Sequence, residues 1–523
     1  MAKVLLINPV VREEDVPRHV PYGLALLAAI AIDKGHLVQV YDANAWRLGE
    51  DVLREVLAAD DWQVIGLGGM TTTYGSVKKV VQTAREVCPH AVIVLGGGIL
   101  TSLPQDMMRF LPEVDIGCVG EGFETFPEIL AHVDHIAAGG TPAWHKVNGT
   151  ISRADDGRLV LAPQRALLHD LDTLPYPAWD LFPLEEVYFK NSEMMFSVEG
   201  MMAKRRLDIN ASYGCSMICR YCYHLGIAGD MRYEQKENGE IEVAFDKPGN
   251  YTRIIRYHSP EYIVKMAKHM VDKYNIDYAL FLDENLMTMD QYSNRTWLKE
   301  ICRLWHEYGL APQYTYDEDG NVSGWSGIHW SGTSHATLCT QEILGIMRKA
   351  GCAHLVYGYE SFAPHVLKTV GKGSTPKTNI RSFYWTLEAG IRPVPNQIIG
   401  FPADDFDSIR ANMRAWDDLG MIVKPHFATP YPGSEWFTVY RDSIIEQYGG
   451  DLEAFILDLG DASKISATIS ENFNAVELIG LREMMLNKDV KRIDEYEKIW
   501  RKNHNVPDGA QSTLYGQKGI FIK

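Results

Sequence analysis

Short apolar runs alternate with amphipathic stretches through the first 130 residues. Val4–Ile7 is closed by Asn8-Pro9, and Val38–Tyr41 ends on Asp42. Val64–Leu67 runs into Gly68-Gly69-Met70-Thr71-Thr72-Thr73-Tyr74, Val92–Leu95 into Gly96-Gly97-Gly98, and Asp115–Val119 into Gly120-Glu121-Gly122. Consecutive apolar side chains fill both faces of a pleat, so each run reads as a buried strand. Between them, Gly23–Ile32 is apolar all round, which predicts a buried helix. Val77, Val80, Val81, Ala84 and Val87 share one face of a second helix, stopped by Pro89. Such alternation predicts an α/β fold, a Rossmann-like doubly wound parallel sheet covered on both faces. Ligands of these sheets bind beyond the carboxyl ends of the strands, where the small and polar residues fall.

Residues 134–204 break the pattern with turn signals at Gly139-Gly140-Thr141-Pro142 and Ala154-Asp155-Asp156-Gly157. Leu174-Pro175-Tyr176-Pro177-Ala178-Trp179-Asp180 cannot be helix interior, because proline lacks the amide donor. We read a connector between a first domain, 1–133, and a second alternating region, 205–432. The strands of that region are Leu207–Ala211, Tyr278–Leu282, Gly327–Ser331, Leu355–Tyr359, Val394–Ile399 and Ile422–Phe427. Ser259-Pro260 opens a helix with a serine cap and proline in the first turn. Six strand–helix units predict a partial (β/α)6 barrel with its active site at the strand carboxyl ends. Residues 433–523 are predicted to be mainly helical. The stretch 226–257 is polar and turn-rich, with a hairpin signal at Glu237-Asn238-Gly239-Glu240; a cap over the substrate mouth is expected, with a solvated surface hairpin as the favoured alternative.

Composition narrows the function classes. Apolar residues make up 46% and charged residues 23% of the chain, which excludes a disordered chain or a disulfide-stapled miniprotein. Acids outnumber bases by 68 to 51, a formal charge of −17, so a broad grip on nucleic acid is not expected. The longest apolar run, Tyr22–Ile32, falls well short of the ~20 residues of a membrane span. No secretory leader is legible at the start, and a cytoplasmic protein without membrane partners is expected.

Three of the eight cysteines lie in Cys215-x3-Cys219-x2-Cys222, directly after a predicted strand. Three neighbouring thiolates can hold three irons of a four-iron cluster. The usual ligation takes a fourth cysteine, and none is near, so one iron is left open. An open position marks a catalytic metal site. A structural zinc site with His224 as fourth ligand is the competing reading, at a spacing tight for zinc. Cys88, Cys118, Cys302, Cys339 and Cys352 are scattered in apolar surroundings and read as core thiols.

With Tyr221 before its last cysteine, the motif resembles that of the radical SAM superfamily, in which the open iron chelates S-adenosylmethionine. Further segments match in order. Phe281-Leu282-Asp283-Glu284-Asn285 resembles the second-strand contact to the amino group. Tyr357-Gly358-Tyr359-Glu360-Ser361 resembles the fourth-strand segment that meets the ribose. Ile398-Ile399-Gly400-Phe401-Pro402 resembles the segment near the adenine, and Thr429–Ser434 the end of the sixth strand. His335 stands where this family often places arginine. Tyr431 and His426 are candidates for substrate contact, with a buried core role as the alternative.

A Rossmann-like domain ahead of the barrel is similar to that of the cobalamin-binding branch, the class B methyltransferases. The resemblance implies that Thr71, Thr72, Thr73 and Tyr74 lie under the corrin. It implies too that Gly97, Gly98, Glu121 and Gly122 line the nucleotide tail, with Asn8 and Tyr22 nearby. No Asp-x-His-x-x-Gly motif is present to supply a lower histidine ligand.

The implied cofactors are a four-iron four-sulfur cluster, S-adenosylmethionine and cobalamin. The implied partners are a peptide or small-molecule substrate and a low-potential electron donor of ferredoxin or flavodoxin type. The implied chemistry is methylation of an unactivated saturated carbon, by hydrogen abstraction with a 5′-deoxyadenosyl radical and methyl transfer from methylcobalamin. The overall run of the chain is similar to methanogen enzymes that methylate a glutamine α-carbon in methyl-coenzyme M reductase, a post-translational modification. Phosphonate methylases and the anaerobic oxidative cyclases of chlorophyll synthesis are the other resembling branches.

Overall fold

A computed structural model of the chain describes residues 1–222, 231–245, 254–507 and 510. His224 and parts of the 226–257 stretch lie outside the described residues. The chain forms two compact units, Met1–Cys215 with His224–Ser331 and Lys349–Gly351, and Ser216–Tyr223 with Gly332–Arg348 and Cys352–Lys523.

The first unit opens with a sheet built from β1 (Lys3–Asn8), β2 (Leu37–Asp42), β3 (Val64–Gly68), β4 (Val92–Gly96) and β5 (Ile116–Cys118), all parallel. Helices Tyr22–Asp33 and Gly122–Ala137 bury Ala28, Ala31, Phe126, Ile129 and Leu130 against Val4, Leu6, Val64 and Val94. The all-apolar segment after Pro21 is indeed a helix, and Val77, Val80, Val81 and Ala84 are the buried face of Tyr74–Val87. The segment read as a connector does more than connect. The helix Gly122–Ala137 runs past residue 133, and β6 (Thr150–Arg153) and β7 (Leu159–Leu161) extend the sheet antiparallel, in the order β2-β1-β3-β4-β5-β6-β7. The turn between the last two is closed by the Ala154 amide on the Arg158 carbonyl at 2.9 Å.

The first unit continues into the barrel region. Its strands are β8 (Arg206–Ile209), β9 (Ser212–Tyr213), β10 (Met231–Gln235), β11 (Ile241–Phe245), β12 (Arg256–Tyr257), β13 (Tyr278–Phe281), β14 (Gln313–Tyr316) and β15 (Val322–Ser326). They are followed by the start of β16 (His329–Ser334). β13 pairs in parallel with β8 on one side and β16 on the other. Helix Pro260–Tyr274 begins as expected: the Ser259 hydroxyl accepts the Tyr262 amide at 3.2 Å. β10 and β11 form the hairpin that the Asn238-Gly239 turn predicts. It lies on the first domain. Tyr233 donates to the Thr101 carbonyl at 2.7 Å, the Ile241 amide to Gln105 Oε1 at 3.0 Å, and Gln235 Nε2 to the Leu159 carbonyl at 2.7 Å. A second hairpin, β14–β15, precedes β16 and was not foreseen; the third barrel strand therefore starts at His329, not at Gly327.

In the second unit β17 (Cys352–Glu360) pairs in parallel with β18 (Arg392–Ile399), and β18 with β19 (His426–Phe427). The last strand is much shorter than the predicted Ile422–Phe427. Pro425 has no amide for the ladder, and Ile422 is 96% exposed. The barrel region is a half-barrel of parallel strands. Beyond it come helices Glu435–Glu446, Leu452–Asp458, Ala475–Leu486 and Val490–Asn503. No helix among the described residues is long and apolar enough to cross a membrane.

Candidate functional site

The carboxyl ends of the first sheet carry the residues singled out as a corrin surface. Asn8 Nδ2 donates to Asp42 Oδ1 at 2.7 Å, and the Tyr188 hydroxyl donates to Asp42 Oδ2 at 2.5 Å. Asn8 is thus committed to a buried network, and burial raises the Asp42 carboxyl above its ordinary pKa. In the loop after β3, Thr71 and Thr73 are buried and Thr72 half-buried; Thr73 Oγ1 closes the turn on the Met70 carbonyl at 2.8 Å. Tyr74 is buried edge-on to Phe110 and faces the core. Met70 is the large side chain of this loop that reaches solvent.

Gly97, at φ +80°, packs backbone to backbone on the same loop. A Cβ there would lie 2.8 Å from the Gly69 carbonyl oxygen and 2.9 Å from its amide nitrogen. The Ile99 amide ties the two loops by donating to Gly69 O at 3.0 Å. Gly97 and Gly120 are exposed, and Gly98 and Gly122 are half-buried. A surface of bare main chain at three adjacent strand ends suits a flat ring and a polar tail, so these residues fit a corrin.

Glu121 and Tyr22 face elsewhere. Arg256, 3% exposed, donates to Glu121 Oε2 at 2.8 Å and to the Leu168 carbonyl at 2.8 Å, and its guanidinium lies over the Tyr213 ring. This ion pair joins the loop after β5 to β12, the antiparallel partner of the strand that leads into Cys215. Sequence reading missed Arg256, since an isolated arginine carries no spacing signal. The Tyr22 hydroxyl lies 3.9 Å from Met266 Sδ, and burial raises the phenol well above its ordinary pKa.

Cys215 follows β9 through Gly214 and is half-buried. After β13, Asp283 is 1% exposed; it accepts the Ala211 amide at 3.2 Å and the Ser212 hydroxyl. Burial pushes its carboxyl up to about 7. Asn285 Nδ2 beside it is buried with no hydrogen-bond partner. An acceptor and an unspent donor at one strand end suit an amino acid headgroup. The Asp283 shift sets a stability slope. The folded value lies above the ordinary 3.8, so the folded state binds the extra proton between the two. Stability therefore falls as pH rises through that window and levels off above it. Thermal melts of the ligand-free chain should show this slope reduced in Asp283→Asn; parallel slopes for the two proteins would refute it.

The second unit builds a compact group around the other two cysteines. The Cys222 amide donates to the Cys219 carbonyl at 3.0 Å, closing a turn over Tyr221. The Tyr221 hydroxyl donates to Glu360 Oε1 at 2.6 Å, and Lys372 Nζ reaches the same oxygen at 2.6 Å. Phe401 and Trp436 pack around the tyrosine ring. Burial first, then the charges of Glu360, Cys219 and Cys222, hold the phenol well above its ordinary pKa. Burial alone would lower the Lys372 ammonium, but Glu360 together with Cys219 and Cys222 outweighs it, so the group stands above its ordinary pKa and stays charged.

Glu360 sits at φ +58° on a break in the β17–β18 register, a conformation kept where function demands it. A Cβ at Gly358 would fall 2.3 Å from Glu360 Oε1 and 2.4 Å from Lys372 Nζ, so glycine leaves the space that this pair needs. Ser334 Oγ, Ser374 Oγ and Gln397 Nε2 are buried without hydrogen-bond partners. Such orphans imply a polar ligand. His335 is buried, its Nδ1 2.7 Å from Thr337 Oγ1, and burial pushes its pKa down to about 3. It is neutral and cannot stand in for an arginine.

Ser361 and Gly400 are built into the support. The Ser361 hydroxyl donates to Asn412 Oδ1 at 3.2 Å, and the Gly400 amide to Asp404 Oδ2 at 2.9 Å. Tyr431 donates to the Gly460 carbonyl at 3.3 Å, and His426 is exposed at the end of β19. Lys372 was not foreseen either, although its setting between Gly371 and Gly373 in Gly-Lys-Gly was a signal for a lysine on a special turn.

Residues 9–130 match the B12 binding domain family and residues 209–415 the radical SAM superfamily. An uncharacterized methyltransferase of Pyrococcus horikoshii is 24% identical over 440 residues, 83% of this chain and 82% of its own. The anaerobic magnesium-protoporphyrin IX monomethyl ester cyclase of Rubrivivax gelatinosus is 23% identical over 429 residues, 81% of this chain and 67% of its own. The solved structure of the radical S-adenosylmethionine methyltransferase TsrM from Kitasatospora setae has cobalamin and a four-iron four-sulfur cluster bound. It superposes with a TM-score of 0.63 at 16% identity, covering 85% of this chain and 78% of that one, which is a likeness of fold.

Proposed function

Because the chain belongs to the cobalamin-binding branch of the radical SAM superfamily, we propose that it methylates an unactivated saturated carbon. Its cofactors are cobalamin, S-adenosylmethionine and a four-iron four-sulfur cluster. When bound, these supply a carbon radical strong enough to take hydrogen from such a carbon and a methyl group to replace it.

The chain's own residues bind, orient and exclude water. Cys215, Cys219 and Cys222 hold three irons. Asp283 accepts from the amino group of S-adenosylmethionine, and Glu360 accepts from its ribose. Ser361 and Asp404 act through others: Ser361 fixes the backbone after Glu360, and Asp404 holds the Gly400 amide. The Phe401 and Trp436 rings keep water from Tyr221. On the first sheet, the main chain at Gly97, Gly98, Gly120 and Gly122 receives cobalamin, with Met70 and Thr72 the loop side chains that reach it.

The observation that supports methyl transfer over cyclisation is the length match. The methyltransferase relatives are covered over 82% and 80% of their lengths, the cyclases over 67%, 77% and 57%. The substrate we assign is the α-carbon of a glutamine residue in a peptide, such as the segment modified in methyl-coenzyme M reductase; the overall run of the chain supports it. Oxidative cyclisation and phosphonate methylation are the alternatives. The reduced, cofactor-loaded protein with a glutamine peptide and methyl-deuterated S-adenosylmethionine should give a product heavier by one labelled methyl. A peptide of unchanged mass beside turnover of a phosphonate or a porphyrin ester would reassign the substrate. The absence of 5′-deoxyadenosine with every substrate would end the reading.

A further inference from the structure

Lys372 lies on a loop fastened to the cysteine loop. The Arg220 amide, between Cys219 and Cys222, donates to the Val370 carbonyl at 3.1 Å. A Cβ on Gly371 would lie 3.1 Å from the Ile218 carbonyl oxygen, so the two main chains are in near contact. From this anchored turn the Lys372 side chain enters the interior, 7% exposed. Its Nζ ends 2.6 Å from Glu360 Oε1 and 3.3 Å from the hydroxyl of Tyr221, the residue preceding Cys222. Arg220, the other cation of the cysteine loop, is paired with Glu435 at 3.6 Å. The neighbouring His335 is neutral. Among the described residues, Lys372 and Glu360 are thus a buried pair of opposite charges tied through Tyr221 to the turn between Cys219 and Cys222.

We propose that the Lys372–Glu360 pair sets the reduction potential of the cluster, with the lysine ammonium favouring the reduced form and the glutamate opposing it. The proposal rests on the cluster assignment above. Net charge and burial are among the factors that tune such clusters. Reduction adds one electron, taken from an external low-potential donor, to an already anionic thiolate-bound group. A buried cation stabilises that added charge and a buried anion disfavours it, and in a dry interior the effect is large at short range. This effect acts through the field of the pair and is separate from the ribose contact assigned to Glu360 above.

The test is a redox titration, followed by electron paramagnetic resonance, of the full chain reconstituted with iron and sulfide but without S-adenosylmethionine. Wild type, Lys372→Met, Lys372→Arg and Glu360→Gln are compared. Lys372→Met should lower the reduced-to-oxidised ratio at fixed potential by about tenfold, which is about 59 mV for one electron. Lys372→Arg should restore it, and Glu360→Gln should raise it. A purely structural role would move Lys372→Met and Glu360→Gln in the same direction, or neither. Either result overturns the proposal. Should Lys372→Met lose its cluster, Glu360→Gln decides alone: a raised ratio supports the proposal, and an unchanged or lowered one overturns it. A wild-type chain that takes up no cluster would instead refute the assignment on which the proposal stands.

Discussion

Cys215→Ala should yield a folded protein that lacks the broad visible absorbance of an iron–sulfur cluster and forms no 5′-deoxyadenosine. On the proposed assignment the three thiolates of Cys215, Cys219 and Cys222 serve three irons, and losing one would leave two irons of four without a protein ligand. Among the described residues the other cysteines are poor substitutes: Cys118, Cys302, Cys339 and Cys352 are buried, and burial raises the thiols of Cys88, Cys118, Cys302 and Cys339 above their ordinary pKa. The loss should be complete rather than graded, since the chemistry begins with the electron that the cluster delivers. The fold should survive, because Cys215 is only half-buried and lies just past the end of β9, after Gly214 at φ +102°. Cys302→Ala is the control. Its thiol is 1% exposed, and burial pushes its pKa up to about 12, so it is an inert core group. That substitution should cost stability by leaving a small cavity and leave iron content unchanged. Full iron content and turnover in Cys215→Ala would remove the motif from the mechanism.

Much of this was legible in the sequence, for identifiable physical reasons. Buried parallel strands are continuous apolar runs, so Val4–Ile7, Val64–Leu67 and Val92–Leu95 stood out, and each is a strand within one residue at either end. Caps are local, so Ser259-Pro260 marked its helix. What failed was non-local. The strands Thr150–Arg153 and Leu159–Leu161 are four and three residues long, too short to show a period, and exist because the open side of β5 receives them. Ile422–Phe427 is apolar enough for a strand, but only His426 and Phe427 find partners.

The site divides in the same way. Cysteine spacing is a property of eight residues and is visible at once. Arg256 and Lys372 matter because of Glu121 and Glu360, which are 135 and 12 residues away, and pairing across such gaps leaves no trace in a single sequence. Tyr74 shows the converse. The resemblance implies that it lies under the corrin, yet its ring, at the start of a helix, is buried edge-on to Phe110.

Gly97→Val should separate the two halves of the chemistry. At φ +80° a β-branched residue is strained; the left-handed region alone costs a side-chain-bearing residue about 1–2 kcal/mol. The larger cost is steric. A Cβ would sit 2.8 Å from Gly69 O, and two γ-carbons would press further into the loop that carries Met70 and Thr72. Neither partner can yield as a side chain would, because the obstacle is main chain held by the Ile99 amide. The loops after β3 and β4 must therefore part, and the flat main-chain surface at their meeting is lost. Cobalt content after reconstitution should fall to background, and methylated product with it. The cysteine motif lies more than a hundred residues downstream and shares none of these contacts, so iron content should stay at the wild-type level. The reduced protein should still cleave S-adenosylmethionine, now without transfer of a methyl group to substrate. Stoichiometric cobalt in Gly97→Val would move the corrin away from these strand ends. Loss of iron together with cobalt would mean that the substitution unfolds the chain as a whole, and that the two cofactors do not occupy separable parts of it.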